Sequence, residues 1–257
     1  MSLFTRLPIS VADPSLPIID SADIDALGVS YELDSYDHWV FNTGDVAGLV
    51  GLNKQRVLTP QAAVVAYASN YLSLSSLAGN ALLSDLDDVA LGKYTLCTIV
   101  REPAPQATGI KPIYGTVTAS PVANNLTFLS GSNAGSTPAR KVFASYSGLT
   151  NSLDTNAALA ADAWYFVATS VDFKDDTAHT MRTLVGGATP LEAAGNSAHF
   201  PSGRKWALGN GWYSAAIGGA FNFAEFILYN RALSTAELQA VYGRSKARMA
   251  GQGIAVV

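Results

Sequence analysis

The chain has 257 residues, 49% of them hydrophobic and only 14% charged, with a formal net charge of −4. This balance supplies a large core, excludes a disordered chain and, with no basic stripe, excludes nucleic acid as a partner. A single cysteine, Cys97, rules out an internal disulfide, and no apolar run is long enough for a membrane span.

Residues 1–28 read as an extended arm. Pro8, Pro14 and Pro17 interrupt helix and central strand alike, while Leu3, Phe4, Leu7, Ile9, Leu16, Ile18 and Ile19 are too apolar for a free linker. Such an arm is expected to pack on its own domain or on a neighbouring subunit. Ser21 to Leu27 is expected to form one helical turn capped by Ser21. The start carries no apolar stretch of the signal-peptide type, so synthesis in the cytoplasm without a leader is expected.

Residues 29–257 read as one domain of short strands. His38 to Phe41 is a strand and Asn42 to Asp45 a turn by composition. Val64 to Ala68 and Tyr71 to Leu74 are strands separated by Ser69 and Asn70. Leu82 to Leu91, with Asp85, Asp87 and Asp88, reads as a loop. Tyr94 to Arg101 is a core strand that places Cys97 as a small buried hydrophobe. Ile113 to Thr118 and Leu126 to Leu129 follow, then a Gly/Ser/Asn loop at Ser130 to Ser136. Lys141 to Tyr146 alternates. Trp164 to Asp172 is the strongest strand pattern. Thr180 to Val185 runs into a Gly186–Gly187 turn of hairpin type. Trp206 to Gly209 precedes a final strand rich in aromatic and β-branched residues, Phe221 to Leu228.

The chain closes on one amphipathic helix. Ser234 and Glu237 have the spacing of a capping box, and Leu233 and Leu238 fall at staple positions around it. Leu238, Val241 and Tyr242 line one face, and Arg244, Lys246 and Arg248 sit towards the end where cations suit the dipole. Many short strands with frequent turn signals predict an all-β, two-sheet antiparallel sandwich with a terminal helix.

Ala224 to Glu237, a Glu-containing apolar strand followed by Tyr229, Asn230, Arg231, Ala232, Leu233 and Ser234, resembles the closing segment of laminin-G-like domains of the concanavalin A-like lectin and glucanase superfamily. Ala163 to Asp172 with the later Gly186–Gly187, and Lys205 to Gly209 with Gly218–Gly219, resemble the same family. The resemblance is loose from Tyr31 to Val100 and absent from the arm. It implies a jelly-roll sandwich, and is a fold signal more than a function signal.

Candidate chemistry is sparse. Glu32, Asp34 and Asp37 resemble the Glu-x-Asp-x-(x)-Glu strand of retaining glycosidases on this fold, whose two carboxyls lie about 5–5.5 Å apart across a cleft. Asp37 is one methylene short of Glu, and the motif falls on the first strand of the domain rather than where that family has it. The alternative is a polar strand face. Asp85, Asp87 and Asp88 supply loop oxygens for Ca²⁺, or are a solvated acidic loop, since the distal Glu of a calcium loop is missing. His38, His179 and His199 are scattered, and His179 reads as an exposed loop residue. Gly209 to Tyr213 is the recognition candidate: Trp212 and Tyr213 offer faces for a sugar ring and Asn210 an amide for its hydroxyls. The alternative is that both aromatics pack into the core or an interface. Glu225 is expected to be a buried structural residue partnered by Arg231 or an indole N–H.

A domain of an extracellular recognition type without leader or disulfide suggests release in a phage particle. The expectation is therefore a non-enzymatic virion structural or adhesion protein: a tail, fibre-associated or capsid-surface component. Its partners would be other virion proteins and further copies of itself in a homo-oligomer, with no cofactor unless Ca²⁺. The alternatives are a module that binds a host-surface glycan, and a glycoside hydrolase using Glu32 and Asp37.

Overall fold

The computed structural model describes residues 31–62, 64–89, 92–106, 109–116, 129–134, 140–146, 151–173, 178–196, 201–213 and 218–257. The expected arm and its Ser21–Leu27 turn lie outside these residues, as do His199 and Leu126.

Two antiparallel sheets face each other, as the strand pattern predicts. The strands in chain order are β1 (Asp37–Val40), β2 (Thr59–Pro60), β3 (Ala66–Tyr67), β4 (Leu72–Ser75), β5 (Asn80–Asp87), β6 (Lys93–Arg101), β7 (Gly109–Gly115) and β8 (Leu129–Ala134). They continue as β9 (Arg140–Tyr146), β10 (Asn151–Ala158), β11 (Trp164–Phe173), β12 (His179–Val185), β13 (Leu191–Gly195), β14 (Lys205–Asn210) and β15 (Ala220–Tyr229). One sheet runs β13-β12-β11-β6-β15-β4-β3, with β1 beside the C-terminal half of β15. The other runs β10-β9-β8-β7-β14-β5-β2. The helix α1 (Thr235–Ala250) follows the last strand.

The core between the sheets is aromatic. Tyr94 of β6 and Trp206 of β14 meet across it at 4.3 Å between ring centroids, and Trp39 stacks on Phe226 at 5.5 Å. Tyr114 and Thr169 hydroxyls share a hydrogen bond of 3.1 Å from one sheet to the other. A second apolar layer lies on the outer face of the first sheet, where α1 packs: Cys97, Ile99, Phe166, Ala168 and Ile227 meet Leu238, Val241 and Met249.

The capping box forms as its spacing predicts. Ser234 Oγ accepts from Glu237 N–H, and the Glu237 carboxylate accepts from Ser234 N–H. Leu233 and Leu238 are both buried in the outer layer. The loop leading to the helix is also held: Thr95 Oγ1 donates to Arg231 C=O and accepts from Leu233 N–H, and Ser170 Oγ donates to Leu233 C=O.

Some elements differ from the sequence reading. Asn80–Asp87 is a strand, not a loop, because Ala81, Leu82 and Ser84 are buried while β14 pairs along it. Leu129–Ala134 is likewise a strand: β7 and β9 pair on its two sides and override the low β-propensity of its Ser, Gly and Asn. β7 begins earlier than Ile113 and accommodates Pro112 at a register shift before Tyr114. β10 and β13 carry weak patterns that the sequence did not reveal.

One irregularity in β15 matters for charge. Its register against β6 slips between Phe223 and Glu225. Phe221 and Phe223 point into the core before the slip, and Phe226 and Leu228 after it. The bulge thus turns both Ala224 and Glu225 towards the helix side.

Candidate functional site

The carboxylates that looked catalytic are structural. Glu32 is buried and receives Arg244 Nη2 at 2.6 Å, Arg248 Nη1 at 2.9 Å and the Tyr229 hydroxyl at 3.1 Å. Asp37 is buried and accepts backbone N–H groups from His38, Asn53, Lys54 and Arg56 at 2.8–3.1 Å. A glycosidase pair needs two carboxyls flanking a space for the sugar. Here each carboxylate faces its own set of donors, so the Glu32–Asp37 hydrolase reading is corrected.

Glu225 is buried, as expected, but its partners are not Arg231 or an indole. It receives Arg248 Nε at 2.8 Å and His38 Nε2 at 2.9 Å. His38 Nδ1 accepts from Glu32 N–H, which leaves Nε2 to donate to Glu225. Burial alone would raise the Glu225 carboxyl; the Arg248 charge and the His38 hydrogen bond outweigh it and hold the group at about 2. Burial likewise opposes ionisation of Glu32, and Arg244 and Arg248 again win, so its carboxyl is lowered. Arg231 pairs instead with Asp34 and with Glu237.

The three loop aspartates do not converge. Asp85 pairs with Arg56 and accepts from the Tyr36 hydroxyl. Asp87 accepts from Val89 N–H. Asp88 is buried and accepts from Ser202 N–H and Oγ, Gly203 N–H and Arg204 N–H, fixing the segment before β14. Among the described residues no group of three His, Cys, Asp or Glu comes together to hold a metal. His179 is not a loop residue: it lies in β12, buried, with its ring 5.7 Å from that of Phe173. Cys97 is buried behind the helix, and burial pushes its thiol well up, away from a nucleophile.

The Gly209–Tyr213 segment is buried at Gly209, Asn210 and Gly211 and reaches the surface at Trp212 and Tyr213. Asn210 itself is fully buried. Its amide donates to Ser76 C=O at 2.7 Å and Tyr213 C=O at 2.9 Å, and its oxygen accepts from Tyr213 N–H at 2.8 Å. Asn210 is therefore a positioning residue, with no amide hydrogen left for a sugar. Gly209, at φ +87°, lies so close to Asn80 C=O that a Cβ would sit 2.8 Å from it. Trp212 and Tyr213 are half-buried, and the Arg204 guanidinium lies 5.9 Å from the Trp212 ring centroid. The sequence did not single out Arg204, whose backbone N–H donates to Asp88 at 3.2 Å.

No protein-family model matches the chain, and no curated protein matches it in sequence. Solved structures match its fold. Domain 4 of AbnA, an extracellular GH43 arabinanase from Geobacillus stearothermophilus solved with arabinotriose, is 16% identical with a TM-score of 0.53, over 81% of this chain and 98% of that one. A Trypanosoma rangeli sialidase is 15% identical with a TM-score of 0.57, over 84% of this chain but 34% of that one. The binding domain of Paraclostridial Mosquitocidal Protein 1 is 9% identical with a TM-score of 0.58, over 81% of this chain and 52% of that one. At these identities the likeness establishes the β-sandwich fold, consistent with the concanavalin-like expectation. It also corrects the expectation of a protein apart from enzymes, because the fold is one carried by sialidases and by an arabinanase domain. Among the described residues no helix is long and apolar enough to cross a membrane.

Proposed function

We propose that this chain is a carbohydrate-recognition module whose ligand rests on the Trp212–Tyr213 loop. The observation that carries the reading is the Asn210 clamp. It uses a buried amide to fix the loop that presents two half-buried aromatic rings beside Arg204. Aromatic faces take up sugar C–H surfaces, and a loop already ordered loses little entropy on binding. The likeness to an arabinanase domain solved with arabinotriose, and to the binding domain of a toxin, supports the same reading. The module would hold glycan for a larger glycan-processing or adhesive assembly.

A second reading places the module on a phage particle, held by other virion proteins or by copies of itself. It is favoured by the 14% charged fraction together with exposed Leu77, Val89 and Val64.

Retention on immobilised arabinan, a neutral glycan, tests the first reading. Trp212→Ala should abolish retention while leaving the unfolding midpoint in place. Full retention by Trp212→Ala would refute it, and failure of the variant to assemble into particles would favour the second.

A further inference from the structure

Among the described residues Arg56, Arg182, Arg231, Arg244 and Arg248 each meet a carboxylate. Arg101 and Arg204 meet none, and each lies over a tryptophan. Arg101 is the better framed of the two. It ends β6 on the outer face of the first sheet, two residues beyond Ile99, which pairs with Glu225. Its guanidinium carbon is 4.7 Å from the Trp164 ring centroid and 5.0 Å from that of Tyr71. The two rings are themselves 5.7 Å apart.

The hydrogen bonds to Arg101 come from one side only. With its amide assigned to the orientation that satisfies its neighbours, Asn222 on β15 accepts at its oxygen from Arg101 Nη2 at 2.8 Å and Nε at 3.2 Å, and its nitrogen donates to Ser73 Oγ at 3.0 Å. Guanidinium has five N–H donors in a planar fork. Asn222 fills the Nε/Nη2 side, and the Nη1/Nη2 end has no partner among the described residues. Arg101 is part exposed, while Asn222 and Trp164 are buried. Ser73 and Ser75 lie on the same face of β4, alternating with the buried Leu72 and Leu74. The result is a two-pronged donor set placed against two aromatic rings and beside serine hydroxyls.

We propose that the open end of Arg101 receives the carboxylate of an acidic sugar, bidentately, with Tyr71, Trp164 and Ser73 around the ring. This site is separate from the Trp212 loop, and the acidic sugar is a ligand beyond the neutral-glycan reading. The chemistry follows from the fork: carboxylate geometry matches two parallel N–H groups, and a stacked guanidinium holds that geometry without further ordering. The serines and aromatic rings around it suit a hydroxylated ring better than an extended acidic peptide.

The test is a titration of the ¹⁵N-tryptophan-labelled chain, read at the indole resonances. Sialyllactose or D-glucuronate should shift the Trp164 indole, while lactose should not. Arg101→Lys keeps the charge but loses the fork, and should weaken the response by about tenfold or more. Trp212→Ala should leave it intact, so that loss of the loop site and loss of this site are told apart. If Arg101→Lys fails to fold, Asn222→Ala, which leaves the Arg101 charge but unpins its fork, should weaken the response in the same way. An unmoved Trp164 indole with both acidic probes would overturn the assignment. An undiminished response in the folded variant, or an equal response to a glutamate-rich peptide, would do so too.

Discussion

Arg248, in the last turn of α1, donates from Nε to Glu225 at 2.8 Å, and the same guanidinium reaches Glu32 from Nη1 at 2.9 Å. One arginine therefore ties the helix to the central strand β15 and to the segment leading into β1. Glu32 and Arg248 are 216 residues apart, so the contact closes the domain end to end. Arg248→Met keeps the stem and removes the charge, leaving Glu225 buried without its guanidinium partner. Breaking a buried pair from one side costs about 3–5 kcal/mol. Urea unfolding should show a loss of that order, and a change below about 1 kcal/mol would show the network to be dispensable.

The same network sets the acid limit of stability. Glu225 is held at about 2 in the fold, whereas an unfolded glutamate titrates near about 4.3. A depressed carboxyl stabilises the fold above its unfolded pKa, and that contribution disappears as pH falls towards the folded value. Glu32 is shifted in the same direction by Arg244 and Arg248. Urea midpoints should hold steady from neutral pH to about 4.5 and then fall steeply towards about 2. Glu225→Gln should lower the plateau and flatten the fall. An unchanged acid slope in that variant would remove Glu225 from the account.

Much of the fold was legible because its strongest signals are local. Ser234, Glu237, Leu233 and Leu238 announce a helix start within a few residues, and Trp164 to Asp172 announces a strand without help from neighbours. β5 was hidden because Asp85 and Asp87 suppress a strand pattern whose buried residues are Ala81, Leu82 and Ser84. The partner of Glu225 was hidden for a different reason. The bulge after Phe223 turns Glu225 to the helix side, where Arg248 and not Arg231 can reach it. That slip did leave a trace, since the core-facing phenylalanines change from odd to even numbers between Phe223 and Phe226. The buried clamp made by Asn210 was not legible, because nothing in sequence shows that Ser76 C=O comes within 2.7 Å of its amide.

The helix cap offers a cleaner measure of local energetics. Ser234 Oγ satisfies Glu237 N–H, and Glu237 returns the bond to Ser234 N–H at 2.8 Å. Ser234→Ala removes one half of the exchange and should cost about 1 kcal/mol in urea unfolding. Ser234→Asp retains an acceptor and should recover most of it. Equal stability of the serine and alanine forms would mean that packing of Leu238 and Val241 alone sets the helix start.

Asn210 separates positioning from contact in the proposed glycan site. It is buried and makes three hydrogen bonds, two to Tyr213 and one to Ser76. Removing the amide leaves Ser76 C=O and both Tyr213 backbone groups without these partners, at about 1–3 kcal/mol for each group left unsatisfied. Asn210→Ala should therefore lower the unfolding midpoint and weaken glycan retention together, because the loop bearing Trp212 and Tyr213 is no longer fixed. Trp212→Ala, on a half-buried ring, should abolish retention with little effect on unfolding. Asn210→Asp turns a carboxylate oxygen towards Ser76 C=O and Tyr213 C=O in a buried site, and should lower both measurements at least as far as Asn210→Ala. A folded Asn210→Ala chain that binds glycan as well as wild type would show that the loop needs no anchor, and the proposed site would then have to lie elsewhere on the sandwich.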